Sequence, residues 1–132
     1  MANLSSVGYV SNIEDETKSN NNFRKVLHTG KHSQLVLMSL LPGEDIGKEV
    51  HDHVDQFFRI EEGKGKVIMN GEETEFEDEF AIIVPAGTEH NVINTGDKPL
   101  KLYTIYSPAN HPDGTVHETR EEAMAAEEEH HH

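Results

Sequence analysis

The sequence predicts an all-β fold, a sandwich or barrel of short strands preceded by a polar N-terminal arm and followed by a short C-terminal helix. Three observations carry this reading. Apolar runs such as Leu35 to Leu41 and Ala81 to Val84 have the length of strands rather than of helices. Turn signals, among them Asn70-Gly71, Pro85-Ala86-Gly87 and Thr95-Gly96-Asp97, recur at the close spacing of all-β architectures. Between Phe23 and Ser107 no segment shows the helical period.

Residues 1–22 are rich in Ser and Asn and read as an arm, with Val7, Tyr9 and Val10 suited to an edge strand. A strand is expected from Phe23 to Leu27, before a turn at Thr29-Gly30-Lys31. Gln34 to Leu41 is almost continuously apolar, as a strand covered on both faces should be, and Pro42-Gly43 ends it. Lys48 to His53 reads as the next strand. Gln56 to Glu61 follows, with Gln56, Phe58 and Ile60 on one face because strand side chains alternate. Asn70-Gly71 supplies the two positive-φ residues of a tight turn between Lys66–Met69 and Glu72–Phe76. Phe80 to Val84, Asn91 to Asn94 and Leu100 to Tyr106 complete the series. Beyond Ser107-Pro108 the chain reads as a loop, until Thr119 and Glu122 form a capping-box pattern that opens a helix through Ala126. The expected division is an arm over 1–22, one barrel over 23–107, a loop and short helix over 108–129, and a tag remnant over His130–His132.

Composition bounds the function. The chain of 132 residues carries 25 acidic against 11 basic side chains, a net charge of −14, so nucleic acid and anionic membranes are repelled over most of its surface. With no cysteine, disulfides and thiolate metal sites are excluded. No apolar run approaches membrane-spanning length and no signal-peptide core opens the chain, so a cytoplasmic protein is expected. The phosphate loop, the dinucleotide glycine fingerprint, His-Glu-x-x-His and the Gly-x-Ser-x-Gly elbow are all missing. The acidic run from Glu72 to Glu79 lacks the calcium-loop pattern and reads as a solvated hairpin edge.

The chemistry concentrates in two segments, Glu49 to Gly65 and Pro85 to Asn94. On a strand, His51 and His53 project to the same side. Gln56, heading the next strand, enters the same cavity if Phe58 and Ile60 face the interior. His90 follows a Pro-x-Gly turn, with Val92 on its face. Three neutral imidazoles and an amide oxygen suit a divalent transition metal: iron, nickel, cobalt, zinc, manganese or copper. With Gln56 turned away, a three-histidine site is also chemically sound. Glu49 is the one nearby carboxylate that alternation places with the histidines, and so the candidate general base. Met38, Phe58, Ile60, Val92 and Tyr103 are candidates for the pocket wall. His111, Asp113 and His117 read as surface-loop residues, with a lid over the pocket as the alternative.

These residues resemble the two motifs of the cupin superfamily. Pro85, Gly87, His90 and Asn94 match the second motif at every spacing, a coincidence expected on the order of once in 10⁵ starting points; Glu79 stands where that motif begins with glycine. His51, His53 and Gly63 match the first motif, Gln56 stands in for its glutamate, and Asp45 replaces its leading glycine. The resemblance spans about residues 23–107. It implies a small double-stranded β-helix, a jelly-roll barrel, with a metal site at the mouth held by His51, His53, Gln56 and His90, and pairing into a homodimer through outer strands. It also implies a small polar or anionic ligand, with oxygenase-type or isomerase-type chemistry as one class of function. A non-catalytic sugar, sugar-phosphate or regulatory binding module is the other. Replacing glutamate by Gln56 would leave the metal's charge uncompensated, weakening metal binding and strengthening the pull on anionic ligands.

Overall fold

The computed structural model describes residues 7–130. In chain order its elements are α1 (Ile13–Ser19), β1 (Arg24–Thr29), β2 (Gln34–Leu40), β3 (Asp55–Glu62), β4 (Gly65–Met69), β5 (Glu72–Phe76), β6 (Ala81–Val84), β7 (His90–Asn94), β8 (Leu100–Ser107), β9 (Val116–His117) and α2 (Arg120–His130). Alternating burial along β7, with His90, Val92 and Asn94 inward, is the strand period that brings one face onto a core. The strands form a six-stranded sheet in the order β6-β3-β8-β2-β1-β9 and a three-stranded sheet in the order β5-β4-β7, with every named pair antiparallel. Val36, Met38, Phe58, Ile60, Val67, Val92 and Leu102 fill the space between them. This is the jelly-roll architecture that the sequence implies.

Most expected strands form within a residue or two of their expected ends, because their turns are locally determined. Asn70 and Gly71 take φ values of 50° and 86°, as the two-residue hairpin requires. At Gly65 a Cβ would lie 2.2 Å from the Ile93 carbonyl oxygen, so the crossing of β4 and β7 demands glycine there. Asn94 is buried and ties its turn: its Nδ2 donates to the carbonyls of Leu40 (3.0 Å) and Lys98 (2.9 Å), and its Oδ1 accepts from Gly96 N–H (2.8 Å).

The two missing motif glycines have separate explanations. Glu79 keeps the left-handed conformation, φ 71°, that a glycine would adopt without strain. Asp45 uses its side chain: Oδ1 accepts from Arg120 Nη2 at 2.6 Å, Oδ2 accepts from Asn91 Nδ2 at 2.9 Å, and its carbonyl accepts from Arg120 Nε at 2.8 Å. Helix α2 is thereby pinned to the barrel, with Ala123 in the core. The capping box forms in modified register, Glu122 N–H donating to Thr119 Oγ1 while Glu118 N–H donates to Glu122 Oε2. Helix α2 ends at His130; the rest of the expected tag, His131 and His132, lies outside the described residues.

Three expectations are corrected. The stretch read as a loop between Pro108 and Thr119 holds β9, whose Val116 and His117 pair with Lys25 and Arg24 of β1. The arm holds helix α1, capped by Asn12 Oδ1 accepting from Asp15 N–H and supported by the Glu14–Lys18 pair at i,i+4. Its polarity concealed it, since only Thr17 is fully buried. Val7 and Val10 are exposed, and no strand forms over residues 7–10. The expected strand from Lys48 to His53 is likewise absent: the segment touches β7 through one isolated bridge at Glu49, as Asp45 does just before it, then turns at Asp52-His53.

Candidate metal centre

Glu49 and His51 come from that irregular segment, and His90 heads β7. Reciprocal backbone hydrogen bonds between Glu49 and His90, 2.9 Å in each direction, clamp the segments together, and Gly87 N–H donates to the His51 carbonyl at 2.9 Å. One donor atom from each of Glu49, His51 and His90 then lies within 4.8 Å of the others. The His51 and His90 ring centroids are 5.5 Å apart. His51 Nε2 is buried without a hydrogen-bond partner, 3.7 Å from Glu49 Oε2.

Gln56 completes the enclosure by a chain of hydrogen bonds whose directions are determined. The Phe57 carbonyl can only accept, so Thr104 Oγ1 donates to it at 2.8 Å. That hydroxyl accepts from Gln56 Nε2 at 3.0 Å, which turns Gln56 Oε1 toward His90 Nε2 at 3.2 Å. On its other side His90 Nδ1 meets the Thr88 carbonyl at 2.9 Å. A neutral imidazole has one proton, yet this ring lies between two acceptors. Protonation would satisfy both, but burial holds the His90 pKa below its ordinary value against the opposing pull of the Thr88 carbonyl. A cation at Nε2, with the proton on Nδ1, satisfies both as well, and is the arrangement usual for metal-bound histidine.

Burial dominates the electrostatics of the cluster. Burial, reinforced by the charge of Glu127, pushes the Glu49 carboxyl from its usual value near 4.5 up to about 7, against the opposing pull of Arg24. Burial, with the charges of His90 and Arg24, holds His51 down. Two neutral imidazoles and one carboxylate are a chemically coherent donor set for a divalent transition metal.

The family model for the cupin domain matches residues 36–106. The chain belongs to the cupin family. It is similar to the "uncharacterized protein YrkC" of Bacillus subtilis (strain 168), 58% identical over 126 residues that cover 91% of this chain and 68% of that protein. The "uncharacterized protein L612" of Acanthamoeba polyphaga mimivirus is 45% identical over 113 residues, 82% of this chain and 70% of its own. Among solved structures, that of BH2720 from Bacillus halodurans has 54% identity and a TM-score of 0.90, with 95% of this chain and 99% of that one covered. None of the three names carries an activity, so the reaction has to be argued from the site.

In this cupin the structure brings His51, His90 and Gln56 together and adds Glu49, while His53 lies exposed on its turn, outside the cluster. The alternation that paired His53 with His51 holds only along a strand, and none forms here. Glu49 brings a carboxylate to the cluster from a position other than that of Gln56. Met38, Phe58, Ile60 and Val92 are buried in the core rather than lining an open pocket. Of these, Phe58 packs its ring edge-on to His90, at 6.4 Å. Tyr103 faces outward beside Phe57, and Tyr106, on the opposite parity of β8, points in.

The open space is a cleft of about 720 Å³ lined by Glu49 and His51, by Lys48, by the loop at residues 109–112 and by Glu127. That loop is fastened by the buried Gln34, whose Oε1 accepts from Asn110 and His111 N–H and whose Nε2 donates to the His111 carbonyl. The His111 ring packs edge-on to Tyr106 at 5.1 Å, with Nε2 3.2 Å from the Tyr106 hydroxyl. The tail therefore forms one wall of the cleft, and of its three flagged side chains His111 and His117 are half-buried and Asp113 is exposed. Arg24, Thr104, Tyr106 and Glu127 escaped sequence reasoning, since nothing local in the chain marks them.

Proposed function

We propose that this cupin holds a divalent transition metal between Glu49, His51 and His90, with Gln56 beside it, and binds and transforms a small anionic molecule in the adjoining cleft. The observation that carries this reading is the His90 ring, buried between the Gln56 and Thr88 oxygens with one proton for two acceptors. The partnerless Nε2 of His51 supports it. When bound, such a metal supplies Lewis-acid polarisation of a carbonyl or enolate oxygen, or redox chemistry toward dioxygen. The chain's own residues do the rest. Lys48 at the rim favours an anion. The 109–112 loop limits water, and Glu49 is placed to hold or pass a proton.

The test is elemental analysis of protein freed of His130–His132, which would bind metal themselves. Near-stoichiometric metal is expected, lost in His51→Ala and His90→Ala and kept in His53→Ala. Metal content indifferent to the first two changes sinks the proposal. Oxygen consumption with enol substrates and isomerisation of sugar phosphates then separate the two reaction types. Silence in both, with metal present, favours the binding module. We further expect a cytoplasmic homodimer; exposed Phe80 and Ile83, at and on the edge strand β6, support pairing, and sedimentation tests it. No helix among the described residues is long and apolar enough to cross a membrane.

A further inference from the structure

Among the described residues of this acidic protein, the largest fully buried side chain is a cation, Arg24 on β1. Burying a guanidinium is costly unless an anion and a full set of hydrogen bonds accompany it. Arg24 has neither in full. Its Nε has no partner, Nη1 stands 3.3 Å from His117 Nδ1, and Nη2 stands 3.8 Å from Glu127 Oε1. Charge-assisted bonds between arginine and a carboxylate run at about 2.7–2.9 Å and are frequently paired through both oxygens. The Glu127 contact is a single approach about 1 Å too long.

Glu127 itself lines the cleft with Glu49 and His51 and is about one-third exposed, so it stands between the buried guanidinium and the open space. Among the described side chains, α2 is held by its capping box, the Arg120–Asp45 contacts, the buried Ala123 and the half-buried Met124, and Glu127 follows these along the helix. The charge of Arg24 is felt by Glu49, His51 and Tyr106, which puts the guanidinium within the electrostatic reach of the candidate metal centre. A carboxylate entering from the cleft would meet an arginine with unfilled donors, screened by a replaceable carboxylate.

We propose that Arg24 is the carboxylate-binding group of this cleft and that Glu127 occupies it as a tethered competitor, so that the natural ligand is a small carboxylic acid that exchanges with Glu127 on binding. Carboxylate is favoured over phosphate because the group already placed against Arg24 is a carboxylate. The inference rests on the cleft being the ligand site, as argued above, but not on a bound metal.

The test is a titration of the full chain, in excess chelator, with malonate and separately with inorganic phosphate, following the Arg24 Nε–H resonance in proton–nitrogen correlation spectra. Malonate should shift it saturably. Glu127→Gln should tighten malonate binding about tenfold, the gain from removing a closed state populated roughly nine times in ten. Glu121→Gln, which removes the same charge from an exposed position on the same helix, should change little. Arg24→Lys, followed in the same spectra through the backbone amides of the cleft lining at Glu49, His51 and Asn110, which should shift with malonate in wild type, should abolish saturation; if that variant does not fold, the Glu127→Gln comparison decides alone. The proposal is overturned if malonate fails to saturate wild type and Glu127→Gln alike, if Glu127→Gln binds no more tightly than Glu121→Gln, or if phosphate binds more tightly than malonate. Chelator is present throughout, so these outcomes are independent of the metal analysis: metal without malonate binding refutes this inference and leaves the metal reading intact.

Discussion

Glu49→Gln should stabilise the metal-free protein and weaken its hold on metal. In the folded chain burial and the nearby Glu127 push the Glu49 carboxyl up to about 7, against 4.5 in an ordinary setting. Below the lower value Glu49 is protonated folded and unfolded, so it contributes no penalty. As pH rises through this window the unfolded chain releases the proton first, and stability is lost until about pH 7, where the loss levels off. The side chain is only 16% exposed, so the shift converts with little solvent discount, to about 3 kcal/mol at most. The amide keeps the shape of the protonated acid without its titration. Urea denaturation in chelator should therefore show the variant equal to wild type near pH 4 and more stable by up to about 3 kcal/mol near pH 8. The depressed values of His51 and His90 act the other way, costing stability as pH falls below their ordinary range, but they are common to both proteins and cancel in the difference. Metal added at about pH 8 should reverse the order, since the wild-type carboxylate gains a cation that the amide cannot match. A stability difference independent of pH would refute the buried-acid argument, and unchanged metal affinity would remove Glu49 from the donor set.

Three further outcomes are expected. Gln56→Glu should tighten metal binding about tenfold in a chelator competition, because a second carboxylate joins Glu49 beside the site; an unchanged affinity would show that Gln56 only orients His90. Glu79→Gly should raise stability by about 1 kcal/mol, roughly 3 °C in melting temperature, by removing a side chain from the left-handed region while keeping the N–H bond to the Ile60 carbonyl at 2.7 Å. Asp45→Ala should cost about 1 kcal/mol and speed amide exchange in α2 relative to the sheets, since the partly exposed Arg120 pair and the Asn91 bond are lost together.

How far the fold could be read from the chain depended on how locally each feature is encoded. The Asn70-Gly71 hairpin and the Pro85 to Asn94 segment were legible because a turn type and a strand parity fix both within ten residues. Helix α1 was locally encoded too, through Asn12 and the acidic first turn, but it rests on the outer face of the barrel and shows no apolar stripe to reveal it. Asp45 and Glu79 looked like simple losses of motif glycines. The structure gives Asp45 a new task in holding α2, while Glu79 retains the glycine conformation with its strain.

The site divides along the same line. His90 faces inward because its parity is carried by a real strand, whereas the parity assigned to His53 belongs to a strand that does not form. Between Glu49 and His51 the parity survives only because the backbone bridge of Glu49 to His90 holds that short stretch extended; two residues later the chain turns and the rule lapses. A motif match therefore transfers a residue's position along the chain but not the direction of its side chain, which here depends on one pair of backbone hydrogen bonds. Glu127 of α2, which lines the cleft, and the buried Arg24 of β1 behind it are 103 residues apart and meet only through tertiary packing. They lie on parts of the chain outside the span that the family model matches, 36–106, and it is there that this cupin's choice of ligand is to be sought.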